Sequence, residues 1–490
     1  MRTHAVFFKL PRRDVESAYK GSGRGVFPLL AYFAALCVSC AASQPTPPSG
    51  PPQPDVTTPT PATAEPPAQG LPHLPPVTGK RPDPPSIQVL ARVELEAVGD
   101  VLMHGAVKEA AEDHRALAEP DGFSWLWAPI ADLLSASDLT FANLETPVAP
   151  RAGRGTHSFV FNAPPGVPSA LRRAGVKLVS VANNHAFDQG RPGFEETLAE
   201  LEATGLAYVG AGEPGAESGP RFMEVNGLRL AFLGYAHFFN QDGNACPPAR
   251  PEKPCLRASL LDPDRAVEDV RRAVPKADAV VVSVHWGEEY QSQPREKDVE
   301  LAHRLAEAGA LVVLGHHPHV LQPIELYPCA DGHVALIAYS LGNFISNQSR
   351  NYEAGVTPDK VGDTRDGVLL RASIVRRDYG RGVVRVELGA VSWLPLWTEN
   401  DTADSERRRL GKARPTIQVV SIDRALALVR ARLAALPDPL PADRQGEYLR
   451  LRRREELYLL RRTAIAEVLG EDLEAEAPPP PPNPASAAGP

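Results

Sequence analysis

Methionine and cysteine are scarce, with three and five in 490 residues. Five cysteines are too few for a scaffold stapled together by disulfides. The sequence has no series of twenty-residue apolar runs, which excludes a polytopic membrane protein. Basic charge is not in excess. Lys and Arg number 52 against 60 Asp and Glu, a formal net charge of −8, so no electrostatic footprint for nucleic acid is present. Nor is apolar content low: 43% hydrophobic residues exclude a wholly disordered chain and suffice for a substantial core. The residue in excess is proline, 51 in all.

Much of that proline lies near the ends. Residues 1–25 carry Arg2, Lys9, Arg12, Arg13, Lys20 and Arg24, an apolar stretch runs from Val26 to Val38, and Ser39-Cys40-Ala41-Ala42-Ser43 follow. Basic region, short apolar region and small-residue site form the secretory pattern. A cysteine directly after the apolar run resembles a bacterial lipoprotein box, with Cys40 as the lipidated residue and Cys37 where an aliphatic residue is usual. A signal anchor or an ordinary cleaved signal is the alternative. Residues 41–87 read as a Pro-rich disordered linker, extended and partly polyproline II, a tether holding a domain off a membrane. Residues 477–490, again proline and alanine, receive no structure. The expected location is therefore the bacterial cell envelope, as an exported, membrane-anchored lipoprotein. Export exposes thiols to an oxidising compartment. Cys246 and Cys255 bracket a Pro-rich loop and are candidates to pair, though spacing alone does not fix connectivity.

Between these ends, short apolar runs alternate with amphipathic stretches. The expected strands are Val93–Val98, Leu139–Ala142, Leu178–Ala182, Leu228–Leu233, Ala279–Val284, Leu311–Leu314 and Leu336–Tyr339. Helix-like segments lie between them: Trp125–Ser135, Pro168–Ala174, Gly193–Thr204, Asp262–Val274 and Glu296–Ala308. Continuous apolar strands with intervening helices predict an α/β fold with a largely parallel sheet covered on both faces. Asn226-Gly227 is a hairpin signal. Past Gly367 the pattern becomes β-only and suggests a second, antiparallel region packed on the first. This main domain spans 88–400, and a C-terminal extension over 401–476 carries two helices, Ser421–Leu436 and Pro441–Leu469. The second carries Arg450, Arg452, Arg453, Arg454, Arg461 and Arg462 balanced by Glu447, Glu455 and Glu456, which reads as a solvated face, with a patch for an anionic partner or membrane surface as the alternative.

An unusual polar cluster follows most of these strands. Gly99-Asp100 comes first, with His104 near by, then Asn143-Leu144-Glu145, Asn183-Asn184-His185 with Asp188 close behind, His285-Trp286-Gly287-Glu288, His316-His317-Pro318-His319 and Ser340-Leu341-Gly342-Asn343. Loops beyond the carboxyl ends of parallel strands line one crevice, so groups distant in sequence can meet there. Imidazole, carboxylate and amide oxygen without thiolate suit divalent ions such as Zn, Mn, Fe or Mg, and the number of candidate ligands suits two of them. Asp100, Glu145, Asn184, His285, His317 and His319 are the expected metal ligands. His185 is expected to be a general acid or an electrostatic group on the leaving atom, and Asp100 and Glu145 are expected to be catalytic as well. His317 and His319 are expected to point the same way on an extended backbone. His316 is a supporting neighbour, and His114, His157, His237, His303 and His333 are taken as structural. Arg151 and Arg154 are the candidate contacts to an anionic substrate.

In these residues the sequence resembles the CapA family, the bacterial capsule or poly-γ-glutamate synthesis proteins. Gly99-Asp100-Val101-Leu102-Met103, Asn143-Leu144-Glu145-Thr146-Pro147, Ala182-Asn183-Asn184-His185, His285-Trp286-Gly287-Glu288, Gly315-His316-His317-Pro318-His319 and Tyr339-Ser340-Leu341-Gly342-Asn343-Phe344 carry the likeness, in order. The resemblance implies kinship with calcineurin-like metallophosphoesterases, a four-layer α-β-β-α sandwich and a dinuclear metal site. The sequence departs from the phosphoesterase pattern twice. Its Asp-x-His is represented only by Asp100 with His104 four residues on, and Asn143-Leu144-Glu145 replaces Gly-Asp-x-x-Asp. The expected activity is a metal-dependent hydrolase or transferase of capsule polymer, using metal-activated water. The expected partners are an anionic polymer such as poly-γ-glutamate, other capsule-synthesis membrane proteins, and a membrane through a lipid anchor. A non-catalytic polymer-binding assembly or export protein, and a metallophosphodiesterase, remain as alternatives.

Overall fold

The computed structural model describes residues 87–117, 122–246, 255–403 and 416–470. The expected signal peptide with Cys40, the linker apart from its last residue, and the 477–490 tail lie outside the described residues. In chain order the strands are β1 (Gln88–Val101), β2 (Leu139–Asn143), β3 (Val176–Ser180), β4 (Ala207–Val209), β5 (Ala211–Gly212), β6 (Arg221–Val225), β7 (Leu228–Ala236) and β8 (Arg257–Ala258). They continue with β9 (Ala279–His285), β10 (Val312–His316), β11 (Ile324–Pro328), β12 (Val334–Ala338), β13 (Asn343–Ile345), β14 (Asp366–Asp378), β15 (Val384–Asn400) and β16 (Ile417–Ser421). The α-helices are α1 (Gly105–Asp113), α2 (Ala131–Leu134), α3 (Gly166–Arg173), α4 (Gly190–Thr204), α5 (Pro263–Ala273), α6 (Glu296–Glu307), α7 (Ile422–Ala434) and α8 (Gln445–Leu469).

Two large sheets form. The first has the order β16-β15-β14-β1-β2-β3-β4, with β13 also pairing to β1; the second has the order β11-β12-β10-β9-β7-β6. Strands β1 to β4 run parallel, as do β7, β9, β10 and β12. Antiparallel strands close the second sheet at both edges. The valine run of β9 shows why such strands read as continuous apolar segments. Ala279 and Val281 enter a core shared with β1, β2 and β14, whereas Val280, Val282 and Val284 enter a second core with α5 and α6. A third core joins the outer face of the first sheet to α1, α3 and α4. These three cores, with helices packed on sheet faces, are consistent with the expected α/β sandwich.

Local signals hold where they are strong. Asp262 caps α5, its carboxylate accepting from the Asp264 and Arg265 backbone N–H groups with Pro263 at the first position. Asn226 and Gly227, both at positive φ, turn β6 into β7. Two expectations change. The region after Gly367 is not a separate antiparallel body: β14 pairs along β1 from Gln88–Asp378 to Ala97–Leu370, so it extends the first sheet. The expected helix Trp125–Ser135 is mostly a 3-10 stretch, Phe123–Ile130, because Pro129 has no N–H to donate to an α-helical ladder. The sulfurs of Cys246 and Cys255 are bonded, and Cys329 is a buried free thiol. Helix α8 is not solvated all round: Arg461 is fully buried, its guanidinium donating to both Asp366 carboxylate oxygens.

Candidate metal centre

The cluster is assembled by strand ends from both sheets. Asp100, near the end of β1, sits in register with Asn143 at the end of β2 and Asn343 at the start of β13. That closeness requires glycine before it, since a Cβ on Gly99 would lie 2.0 Å from the Gly342 carbonyl oxygen. His285 ends β9 in register with His316, which ends β10. Asn184 and His185 follow β3 in the turn that leads to α4.

Around Asp100 the hydrogen bonds are dense. Its Oδ1 accepts from Asn143 Nδ2 at 2.8 Å and His316 Nδ1 at 3.2 Å; its Oδ2 accepts from His319 Nδ1 at 3.1 Å and the His317 backbone N–H at 3.3 Å. Burial alone would raise this carboxyl, but the His316 and His319 hydrogen bonds prevail and hold it well below the usual carboxylate range. Glu145 goes the other way, pushed up by burial and then by repulsion from Asp100. Its Oε1 lies 3.5 Å from His285 Nε2, 3.8 Å from His319 Nε2 and 4.0 Å from His185 Nε2. His285 Nε2 also donates to Asn184 Oδ1 at 2.9 Å. Burial, then the neighbouring His317, lowers the His285 imidazole, and burial, then His319, brings His317 down to about 3. Both rings are therefore neutral near pH 7; His317 Nδ1 keeps an unpartnered lone pair, while the His285 ring is held between Asn184 Oδ1 at 2.9 Å and Asn143 Nδ2 at 3.3 Å.

Three groups offer ligand atoms mutually within 4.8 Å: Glu145, His285 and His317; Asp100, Glu145 and His319; and Glu289, His317 and His319. Glu145 Oε1 and His317 Nδ1 are buried without a hydrogen-bond partner. Native proteins rarely leave such atoms bare, and a cation would satisfy both. A nitrogen-and-oxygen donor set without thiolate fits a borderline or hard divalent ion.

His185 stands at the edge of this cluster. Its Nδ1 donates to Asp188 Oδ2 at 2.7 Å, and its ring packs on Phe161 at 4.5 Å between centroids. His104 lies outside all three groups; its Nδ1 accepts from the Asn347 backbone N–H, and its ring packs on the same Phe161. Arg151 donates to Glu196 at 2.6 Å and lies 3.7 Å from Glu200, while Arg154 is exposed on the same loop.

His317 and His319 do converge, but not on an extended backbone. Their φ angles are +99° and +58°, so both occupy left-handed conformations that bulky residues seldom adopt. Three participants escaped the sequence reading. Asn143 stands in the sequence as a strand-end asparagine, but its register with Asp100 is set by the pairing of β1 with β2. Asp188 was noted beside His185 without a role. Glu289 reaches the histidines where Glu288 was singled out; Gly287, at φ +89°, turns the chain in between.

Fold and site thus define a class: an α/β sandwich protein whose strand ends gather carboxylates, amides and imidazoles able to hold divalent cations. Comparison narrows the class. Residues 94–348 match the family of the bacterial capsule synthesis protein PGA_cap, and the chain belongs to that family. Over 308 residues it is 33% identical to the capsule biosynthesis protein CapA of Bacillus anthracis, covering 60% of this chain and 66% of that protein. Over 288 residues it is 31% identical to the PGA biosynthesis protein CapA of Bacillus subtilis, covering 58% and 68%. A probable polyglutamine synthesis accessory protein of Mycobacterium tuberculosis is 28% identical over 233 residues, 46% of this chain and 61% of that protein. The chain thus spans about two thirds of the length of the Bacillus relatives. The family is described as one of bacterial capsule synthesis. No helix among the described residues is long and apolar enough to cross a membrane.

Proposed function

We propose that this chain is a metal-dependent hydrolase or transferase of the cell envelope, acting on an anionic polymer such as poly-γ-glutamate during capsule synthesis or processing. One observation carries the reading: buried carboxylate and imidazole atoms from both sheets, two of them bare, face one another at the strand ends. Asp100, Glu145, Asn184, His285, His317 and His319 would hold two divalent ions. Bound there, the ions supply Lewis acidity and lower the pKa of a water. Asp188 accepts from His185 Nδ1–H and stabilises the imidazolium, whose Nε2–H would be the proton passed to the leaving atom. Asp100, kept anionic by His316 and His319, orients both rings. Phe161 and Phe238 pack against His185 and His317 and shield them from water. The polymer is suggested by the names of the relatives. An exported N-terminus lipidated at Cys40, with the 41–87 linker as tether, would place the domain beside its polymer and membrane partners, and belongs to the same proposal.

Elemental analysis of the purified full chain tests this. Wild type should carry up to two equivalents of Zn, Mn or Fe, and the His317→Ala/His319→Ala variant should lose most of it. A metal-free wild type that takes up none of these ions refutes the metal centre. The loaded protein is then assayed on poly-γ-glutamate and on bis-p-nitrophenyl phosphate. Polymer binding with turnover of neither substrate would replace the enzyme with a binding and assembly protein.

A further inference from the structure

A cleft of about 310 Å³ is lined by Tyr290, Val320, Gln348, Ser349, Lys360 and Val361. We propose that it is a subsite holding a pendant carboxylate of the anionic polymer, the α-carboxylate in poly-γ-glutamate, next to the candidate metal centre. The inference rests on the polymer reading above and adds where the polymer's charge is held.

Position comes first. Val320 directly follows His319, and the Tyr290 ring lies 6.2 Å from the His319 ring. Gln348 joins cleft and centre: its Oε1 accepts from Asn343 Nδ2 at 2.7 Å, and its Nε2 donates to the Tyr290 hydroxyl at 3.3 Å. Asn343 in turn stands in register with Asp100. A chain segment seated in the cleft therefore abuts the histidines.

Charge comes second. Lys360 is exposed and has no carboxylate partner among the described residues. The acid that also lines the cleft, Asp363, is already engaged by Arg461 Nη2 at 2.8 Å. The Tyr290 ring forms one wall of the cleft, its hydroxyl held by Gln348 Nε2. A free ammonium suits a carboxylate. The second sizeable cleft has the opposite character, lined by Asp264, Glu268, Glu300 and Glu307 with two arginines.

Backbone strain comes third. Seven non-glycine residues among those described have positive φ, and four of them are Tyr290 at +64°, Ser349 at +50°, His317 and His319. Strain of this kind persists where the surroundings over-determine a functional geometry. The volume lies at the small end for ligand pockets, roughly 300–1,000 Å³, so the cleft takes a short stretch of polymer.

The test uses the full metal-loaded chain, with poly-γ-glutamate binding read by calorimetry at fixed low salt. Lys360→Glu should weaken the Kd about tenfold, equivalent to 1.4 kcal/mol. Lys360→Arg should stay near wild type, and Val361→Trp, which fills the cleft, should weaken binding with Lys360 intact. Both positions are exposed, and an unchanged melting temperature and metal content certify folding. Wild-type binding that survives Lys360→Glu and Val361→Trp unchanged overturns the subsite and leaves the polymer reading standing. A wild type that binds no polymer overturns both.

Discussion

His104 illustrates how a single side chain near the centre answers to burial. Desolvation is the largest influence on it, and its imidazole is brought down from 6.5 to about 4. Between those values the unfolded chain binds more protons than the folded one. The ring's contribution is therefore complete above about pH 6.5 and is lost as pH falls through about 4. It amounts to roughly 3 kcal/mol at most. Replacing His104 with Asn keeps an acceptor for the Asn347 N–H and should flatten the decline in melting temperature between pH 6.5 and 4. An unchanged acid limb would show that this ring does not titrate as described. Asp188→Asn tests a different residue. The His185 tautomer loses its anchor while the proposed ligands stay, so turnover of whichever substrate is cleaved should fall at least about 100-fold. Metal content should not change. Loss of metal along with activity would make Asp188 a support of the centre rather than of the proton. The candidate side chains that gather at the strand ends were legible in the sequence because histidines and acids stood immediately after apolar runs. The left-handed backbone of His317 and His319 was not, because a proline between two histidines suits an extended segment equally well.

At the scale of elements, parallel strands and their helices were legible from apolar runs alone, and β9 fell within one residue of expectation. The placement of β14 was not legible. Alternation identifies a strand but not its neighbour, and only the free edge of β1 decided the pairing. Helix α8 is the clearer case. Its arginines looked solvent-facing because charge counts cannot tell a buried arginine from an exposed one. Yet Leu451, Tyr458, Ile465 and Leu469 of α8 enter the core between the sheets, and Arg461 ties the helix to Asp366 and Asp363. Removing one partner of a buried pair strands the other charge, which typically costs 3–5 kcal/mol. Arg461→Met should therefore destabilise the protein by about that amount in a urea titration, and Arg461→Met/Asp366→Leu should recover much of it. Equal losses for single and double variants would mean the pair is not coupled. Through Asp366, beside Gly367 and the Asn343 strand, this helix braces the region that borders the centre.

For the whole molecule, the decisive arrangement is the meeting of two sheets at their carboxyl ends. Asp100 and Glu145 come from the first sheet's side, His285, His317 and His319 from the second's, and neither sheet alone supplies the full set. Family resemblance carried the expectation of a sandwich, and the mixed α/β fold with its three cores is consistent with it. Crystals of the protein soaked in manganese or zinc, measured on both sides of the metal's absorption edge, give the most direct reading. The account predicts an anomalous peak about 2.0–2.3 Å from ligand atoms of Glu145, His285 and His317, and a second beside Asp100 and His319. Peaks confined to other surfaces, or none at these strand ends at saturating metal, would contradict it.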